Sequence, residues 1–174
     1  HRDLHSFPTR RSSDLFLRGQ GAHFDFDDRF REVGSGLYLT GEVPRATAFE
    51  TGDKGLFCDE AGCRPDPISD DQSLVIRTER GLVLLLGCCH AGVVNTALWA
   101  LECTGESLVH TVIGGTHLGF CGREQLDETV KSLRELGVHK LVGSHCTGFA
   151  AAARLMHEFP GRFHPSAVGY TLEV

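Results

Sequence analysis

No apolar run in this 174-residue chain is long enough to cross a bilayer. The longest runs, such as Leu82 to Leu86, fall far short of the roughly 20 residues a spanning helix needs. The N-terminus is polar and has no apolar core of the kind a secretory signal carries. Lysines and arginines do not cluster, and the net charge is −6 with a pI near 5.9, which argues against a nucleic-acid footprint. There is no CxxC pair. The seven cysteines (Cys58, Cys63, Cys88, Cys89, Cys103, Cys121, Cys146) are odd in number and irregularly spaced, so neither a disulfide framework nor a dithiol redox motif is expected, and a reducing cytoplasm is the expected location. What is present is ordinary for a globular domain: 41% hydrophobic and 23% charged residues, with no internal repeat. A small-molecule ligand is the partner this leaves, with no membrane and no nucleic acid; the oligomeric state stays open.

The first fifteen residues, HRDLHSFPTRRSSDL, carry no apolar periodicity and read like the one-frame translation of a sequencing adapter. They are expected to be extraneous to the fold, with a partial domain over residues 16–174 and a reading frame that opens inside a longer gene.

From Leu37 a short alternating strand runs into Gly41 and Pro44, and residues 46–71, rich in Gly, Asp and Pro, read as a long connection. Two β-rich runs, Ser73 to Thr78 and Leu82 to Leu86, are joined by the turn Glu79-Arg80-Gly81; the second is apolar throughout and is expected to be buried on both faces. Val93, Val94, Ala97, Leu98 and Leu101 recur at helical spacing, predicting a helix from Gly92 to Cys103. A strand over Leu108 to Ile113 follows, then an amphipathic helix over Glu124 to Leu136 stopped by Gly137. A strand at Lys140 to Val142, a helix over Phe149 to Phe159 and a closing strand over Ala167 to Val174 complete an α/β layered pattern.

Three of the ten histidines share one placement. His90, His117 and His145 each fall just beyond a buried strand, within GCCHAG, GGTHLG and GSHCTG, where small residues let a ligand approach. Open α/β sheets build sites at their strand ends, and imidazole is the commonest protein ligand for zinc-like metals. His110, His139, His157 and His164 lie in or beside regular elements and read as surface or packing residues. Cys88, Cys89 and Cys146 could ligate a soft metal or serve as buried thiols; Cys58 and Cys63, in a loop, are a weaker zinc clip.

GEVPR at Gly41 to Arg45 with Phe49-Glu50, DDQSLVI at Asp70 to Ile76, GLVLLLGCCHAGVVNT at Gly81 to Thr96, IGGTHL at Ile113 to Leu118 and GSHCTG at Gly143 to Gly148 occur in order. In this the chain resembles the C-terminal half of metallo-β-lactamase-fold hydrolases, and within them the branch of 7,8-dihydropterin-6-methyl-4-(β-D-ribofuranosyl)aminobenzene-5′-phosphate synthase-like enzymes. The resemblance implies half of an αββα sandwich, a mixed sheet with flanking helices, and a divalent metal, most often zinc, at the sheet edge. It implies that His90 and His145 are metal ligands and that His117, near the metal or substrate, is catalytic. Many members carry a bridging Asp after the buried strand; here Cys88 and Cys89 stand there, and Cys88 is the candidate ligand. Arg45 is a candidate for an anionic substrate group, a surface salt bridge being the other option.

The resemblance also implies a first metal site built by an HxHxDH motif, and this sequence has none; the nearest string, His23-Phe24-Asp25-Phe26-Asp27-Asp28, lacks the second and third histidines. The reaction implied is hydrolysis of an ester or phosphoester-type small molecule, with weak metal binding and no turnover expected of this chain alone. Two other readings compete: a non-catalytic binding or scaffold domain whose histidines cap helices, and a redox protein using Cys88-Cys89.

Overall fold

The structure, a computed structural model, describes residues 15–53 and 55–173. The segment expected to be extraneous lies outside the described residues except for Leu15, which opens a short helical stretch over 15–19. Seven strands form one sheet in sequence order: β1 (Arg31–Gly34), β2 (Leu37–Leu39), β3 (Ser73–Thr78), β4 (Gly81–Leu86), β5 (Val109–Gly114), β6 (Lys140–Gly143) and β7 (Phe163–Pro165). The first four pair antiparallel as a meander, and β4 to β7 pair parallel. Each parallel step needs a crossover, supplied by α1 (Val93–Thr104), α2 (Arg123–Glu135) and α3 (Phe149–Glu158). Because the strands advance one place at a time in one direction and such crossovers are right-handed, all three helices fall on the same face.

One line of register shows where the core sits. Tyr38, Val75, Leu84, Val112, Leu141 and Phe163 lie side by side across six strands and point into the helices, against Val93, Ala97, Val130, Leu133, Leu155 and Phe159. Each fully buried aliphatic or aromatic side chain contributes about 1.5–3 kcal/mol. The next line, Leu39, Leu74, Leu85, Ile113, Val142 and His164, points to the other face, and there Leu85 is 40% exposed. The expectation that β4 is buried on both faces therefore holds for Leu82, Val83, Leu84 and Leu86 and fails at Leu85.

The predicted hairpin, three helices and the strands at β5 and β6 are present to within about two residues. The closing strand expected over Ala167 to Val174 is not a strand among the described residues. The last strand is Phe163–Pro165, and beyond it the Tyr170 N–H bonds the Ala167 carbonyl in a turn that includes Gly169 at φ 89°. β1 was not anticipated: only four residues long, it is held by its pairing with β2. Among the described residues no helix is long and apolar enough to cross a membrane.

Candidate metal centre

The parallel strands end in step. Leu86 of β4 is in register with Gly114 of β5, and Gly114 with Gly143 of β6, so the loops that follow leave the same edge side by side. Those loops carry Cys88, Cys89 and His90, then Thr116 and His117, then His145, Cys146 and Thr147. A hydrogen bond from the Thr116 hydroxyl to that of Thr147, 3.0 Å, ties the second loop to the third. Of three non-glycine residues with positive φ among those described, two are here, Cys89 (63°) and His117 (56°). Left-handed backbone at such residues costs free energy and persists where surrounding contacts enforce it, which is common at functional sites.

His90 and His117 meet at one carboxylate. Asp53 Oδ2 lies 2.7 Å from His90 Nδ1 and Asp53 Oδ1 lies 2.9 Å from His117 Nε2, with the imidazole centroids 4.1 Å apart. The three side chains are each about one-fifth exposed. Burial pushes the Asp53 carboxyl up, yet the hydrogen bonds from His117 and His90 outweigh it and hold it below the usual carboxylate value. His117 Nδ1 is buried without a partner, and the His117 ring packs on Phe120, centroids 4.8 Å apart. Phe120 is 73% exposed and forms the lip of the small cavity, about 30 Å³, that Asp53, His90 and His117 line.

Asp53 belongs to the long connection, and three side chains fix where that segment runs. Glu50, 1% exposed, accepts the backbone N–H groups of Val94 (2.9 Å) and Asn95 (2.7 Å) and so caps the first turn of α1 from a distance. Burial pushes the Glu50 carboxyl above its usual range, against the downward pull of those bonds. Gly92 makes room for it: a Cβ there would come within 2.2 Å of the Glu50 carboxyl carbon, and φ is 100°. Asn95 Oδ1 in turn accepts the N–H groups of Ala46 and Thr47. Arg45 donates from Nη1 to the His90 carbonyl (2.7 Å) and from Nη2 to the Pro67 carbonyl (2.8 Å), and its guanidinium lies against Gly52 beside Asp53.

A second group stands on the neighbouring loops. Cys88 Sγ is 3.1 Å from His145 Nε2, and Cys146 Sγ is 3.3 Å from the Cys88 carbonyl and accepts the His117 N–H at 3.2 Å. Ser144 Oγ sits 3.2 Å from His145 Nδ1. Cys89, the neighbour of Cys88, turns the other way and pairs with the Thr96 hydroxyl; burial pushes its thiol far above the usual value, so it stays protonated. All seven cysteines are free, and Cys58 and Cys63 are exposed in the long connection.

The predicted residues are thus sorted into two sets. His90 joins His117 and an unpredicted Asp53; His145 joins Cys88 and Cys146, both among the thiols read as possible soft-metal ligands. Within each set the donor atoms lie within 4.8 Å of one another, with His90 in the first set and His145 in the second. None of the three histidines makes a side-chain capping bond to a helix, so that basis for a scaffold reading is missing. Arg45, expected at an anionic substrate group, has its two terminal nitrogens bonded to carbonyls; it also lines a larger cavity of about 790 Å³ with Asp28, Arg29, Glu42, Asp71 and Trp99. Asp53 gave no signal in the sequence because no strand end or spacing marks it. Only the family-like Phe49-Glu50 three residues earlier hinted that this stretch of loop is anchored.

No protein-family model matches the chain. Over 98 residues, 56% of this chain, it is 40% identical to the 7,8-dihydropterin-6-methyl-4-(beta-D-ribofuranosyl)-aminobenzene-5′-phosphate synthase of Methanocaldococcus jannaschii, of which it spans 33%. The crystal structure of a metal-dependent hydrolase of the beta-lactamase superfamily superposes with a TM-score of 0.74 at 33% identity, covering 87% of this chain and 58% of that one. The chain therefore spans well under two thirds of the length of either relative. The sequential mixed sheet with its helices on one face is the α/β fold of that metallo-β-lactamase superfamily hydrolase, which the chain shares.

Proposed function

We propose that this chain carries the metal centre of a hydrolase acting on an ester or phosphoester-type small molecule, with a divalent cation, zinc first among them, held by Asp53, His90 and His117. The observation that carries the reading is the convergence of one carboxylate and two imidazoles, 2.7 and 2.9 Å apart, on a loop edge where the sheet ends. The donor set fits such an ion: mixed nitrogen and oxygen ligands suit zinc, and three protein ligands with an open position is the usual catalytic arrangement. The buried, unpartnered His117 Nδ1 is further capacity at the same place. When bound, the cation supplies Lewis-acid polarisation and brings the pKa of water from about 16 toward 7.

The chain's own residues have separable tasks. Asp53 holds the two rings together through His90 Nδ1 and His117 Nε2, and a bound cation would take the place of the protons shared in those contacts. Arg45 holds the His90 backbone still, and its remaining N–H groups are available to an anionic group in the larger cavity. His117, the catalytic candidate, lies between Asp53 and the Phe120 ring that packs on it, which supports a role for it at the reacting centre. Three donors without an HxHxDH partner site give a weak centre, so low turnover is the expectation for these 174 residues alone.

The test is zinc titration with a chromogenic phosphoester assay on the chain and on Asp53→Ala, His90→Ala and His117→Ala. Zinc uptake that each substitution weakens, with little turnover, is the expected result. Failure of zinc to bind, or binding indifferent to all three, overturns the metal reading; tight stoichiometric binding with turnover overturns the claim of a weak centre. A second reading, favoured by the higher identity to a synthase, is that the centre joins two substrates and excludes water. Incorporation of isotope from labelled water into product separates the two.

A further inference from the structure

We infer that the cavity of about 790 Å³ beside α1 is a binding site for a small organic cation bearing N–H groups, such as a guanidine, an amidine or a protonated amine. The inference goes beyond the hydrolase reading and stands without it, because it uses none of the Asp53, His90 and His117 side chains. Size, open charge and an aromatic wall carry it.

The cavity runs along α1 from Ala91, next to the metal centre, to Trp99 and Cys103. From Val93 to Cys103 the helix rises roughly 15 Å. Facing walls come from the stretch before β1, the turn after β2 and the end of the long connection, which supply Asp28, Glu42 and Asp71. Backbone bonds hold these walls together: the Glu42 N–H donates to the Asp28 carbonyl at 2.8 Å, and the Ala91 N–H donates to Asp71 Oδ2 at 3.1 Å. Small-molecule sites span about 300–1,000 Å³, so this volume suits an organic ligand and far exceeds what one metal ion needs.

Three carboxylates line the cavity with two guanidiniums, and both guanidiniums are already engaged. Arg29 gives Nε and Nη2 to Asp27 at 2.9 and 2.7 Å, and Arg45 gives Nη1 and Nη2 to the carbonyls of His90 and Pro67. The carboxylates keep open acceptors. Among the described residues the Asp28 carboxyl accepts no hydrogen bond, Glu42 uses Oε1 for the Ser69 hydroxyl, and Asp71 uses Oδ2 for the Ala91 N–H; Glu42 Oε2 and Asp71 Oδ1 are left. With Arg29 paired to Asp27, the lining carries more negative than positive charge. A cation with N–H groups satisfies such acceptors through charge-assisted bonds, whereas an anion meets repulsion from them. Arg45 sits at the His90 end, so an anionic group beside it does not compete for the same wall.

The aromatic wall is Trp99, with Phe30 edge-on to it, ring centroids 6.3 Å apart and planes at 90°. Trp99 donates its Nε1–H to the Thr40 carbonyl at 3.1 Å, which fixes the indole, and the half-buried ring lines the cavity. An indole attracts a cation through its ring quadrupole, and planar guanidinium groups also stack on it. Carboxylates alone would suit a metal ion equally well. The volume and the indole are what favour an organic cation.

Trp99 is the single tryptophan of the chain, so its fluorescence reads this cavity directly. The chain, kept metal-free with a chelator, is titrated with agmatine, which carries a guanidine and an amine and does not absorb in the indole band, and with glutarate, an anion of comparable length. Zinc uptake and turnover play no part, so this test succeeds or fails independently of the hydrolase reading. The expected result is a saturable change with agmatine and binding of glutarate weaker by roughly tenfold or more. Asp28→Asn and Asp71→Asn should each raise the agmatine dissociation constant roughly fivefold, and the double substitution should raise it further. Added salt should weaken agmatine binding to the original chain, a readout that needs no variant to fold. No saturable change with agmatine, equal affinity for agmatine and glutarate, or an agmatine affinity indifferent to salt or to the double substitution overturns the site.

Discussion

The loops at the ends of β4, β5 and β6 and the long connection over residues 46–71 reach the same centre by opposite means. The strand-end loops are short, and their histidines are aimed by the sheet itself, because register puts Leu86, Gly114 and Gly143 abreast. Among its described residues the connection has no strand beyond the single bridge Phe57 to Pro65, and Asp53 is held where it is by Glu50, Arg45 and Asn95, which bind that loop to α1 and to the backbone at His90. One half of the donor set is positioned by secondary structure and the other by buried polar contacts. The first should tolerate substitution off the sheet; the second should depend on a few hydrogen bonds.

The sharpest way to break the comparison is Gly92→Ala. The new Cβ would strike the Glu50 carboxyl and sit at φ 100°, so a loss of about 3 kcal/mol or more is expected in urea unfolding, with zinc uptake lost as Asp53 is released. Next is Glu50→Ala, which leaves the N–H groups of Val94 and Asn95 unpaired in a buried setting, at a cost of about 2 kcal/mol. Glu50→Gln, which can still accept one of them, should cost less than Glu50→Ala. Arg45→Ala removes two bonds at an exposed side chain and should cost about 1 kcal/mol or less, but weaken zinc binding roughly tenfold through the His90 backbone; an unchanged zinc affinity would show that the connection does not need it.

The smallest effect is on pH. The Asp53 carboxyl is held below its unfolded value of 3.8, so the stabilisation it gives is complete above that value and is lost as pH falls through the lower folded one. The difference in stability between the chain and Asp53→Asn should therefore shrink on acidification below the usual carboxylate range and stay flat above it. A difference that grows instead on acidification would contradict the assigned bonds.

The same contrast explains what could be read from the sequence. The β3–β4 hairpin, the crossover helices and the histidines of GCCHAG, GGTHLG and GSHCTG are written in local periodicity and in small residues after apolar runs, so both the layered fold and three strand-end histidines were legible. How the histidines pair was not. His90 and His145 looked equivalent in sequence, and only the register and the left-handed backbone at Cys89 and His117 decide that His90 turns toward His117 and His145 toward Cys88. Asp53 was invisible because a loop carboxylate has no period; its address is set by Glu50, buried 44 residues before the N–H group it accepts from Val94. The closing strand expected at Ala167 to Val174 fails because β7 ends at Pro165 and a turn follows.

The central claim is that Asp53, His90 and His117 share one divalent cation, and histidine-resolved NMR during zinc titration tests it most directly. In the Cys88→Ser/Cys146→Ser background the imidazole signals of His90 and His117 should move together and saturate at one zinc per chain, while Asp53→Asn raises the zinc needed by roughly 10–100-fold. Imidazole signals that stay fixed through the titration, or that shift at His90 alone and are indifferent to Asp53→Asn, would contradict it.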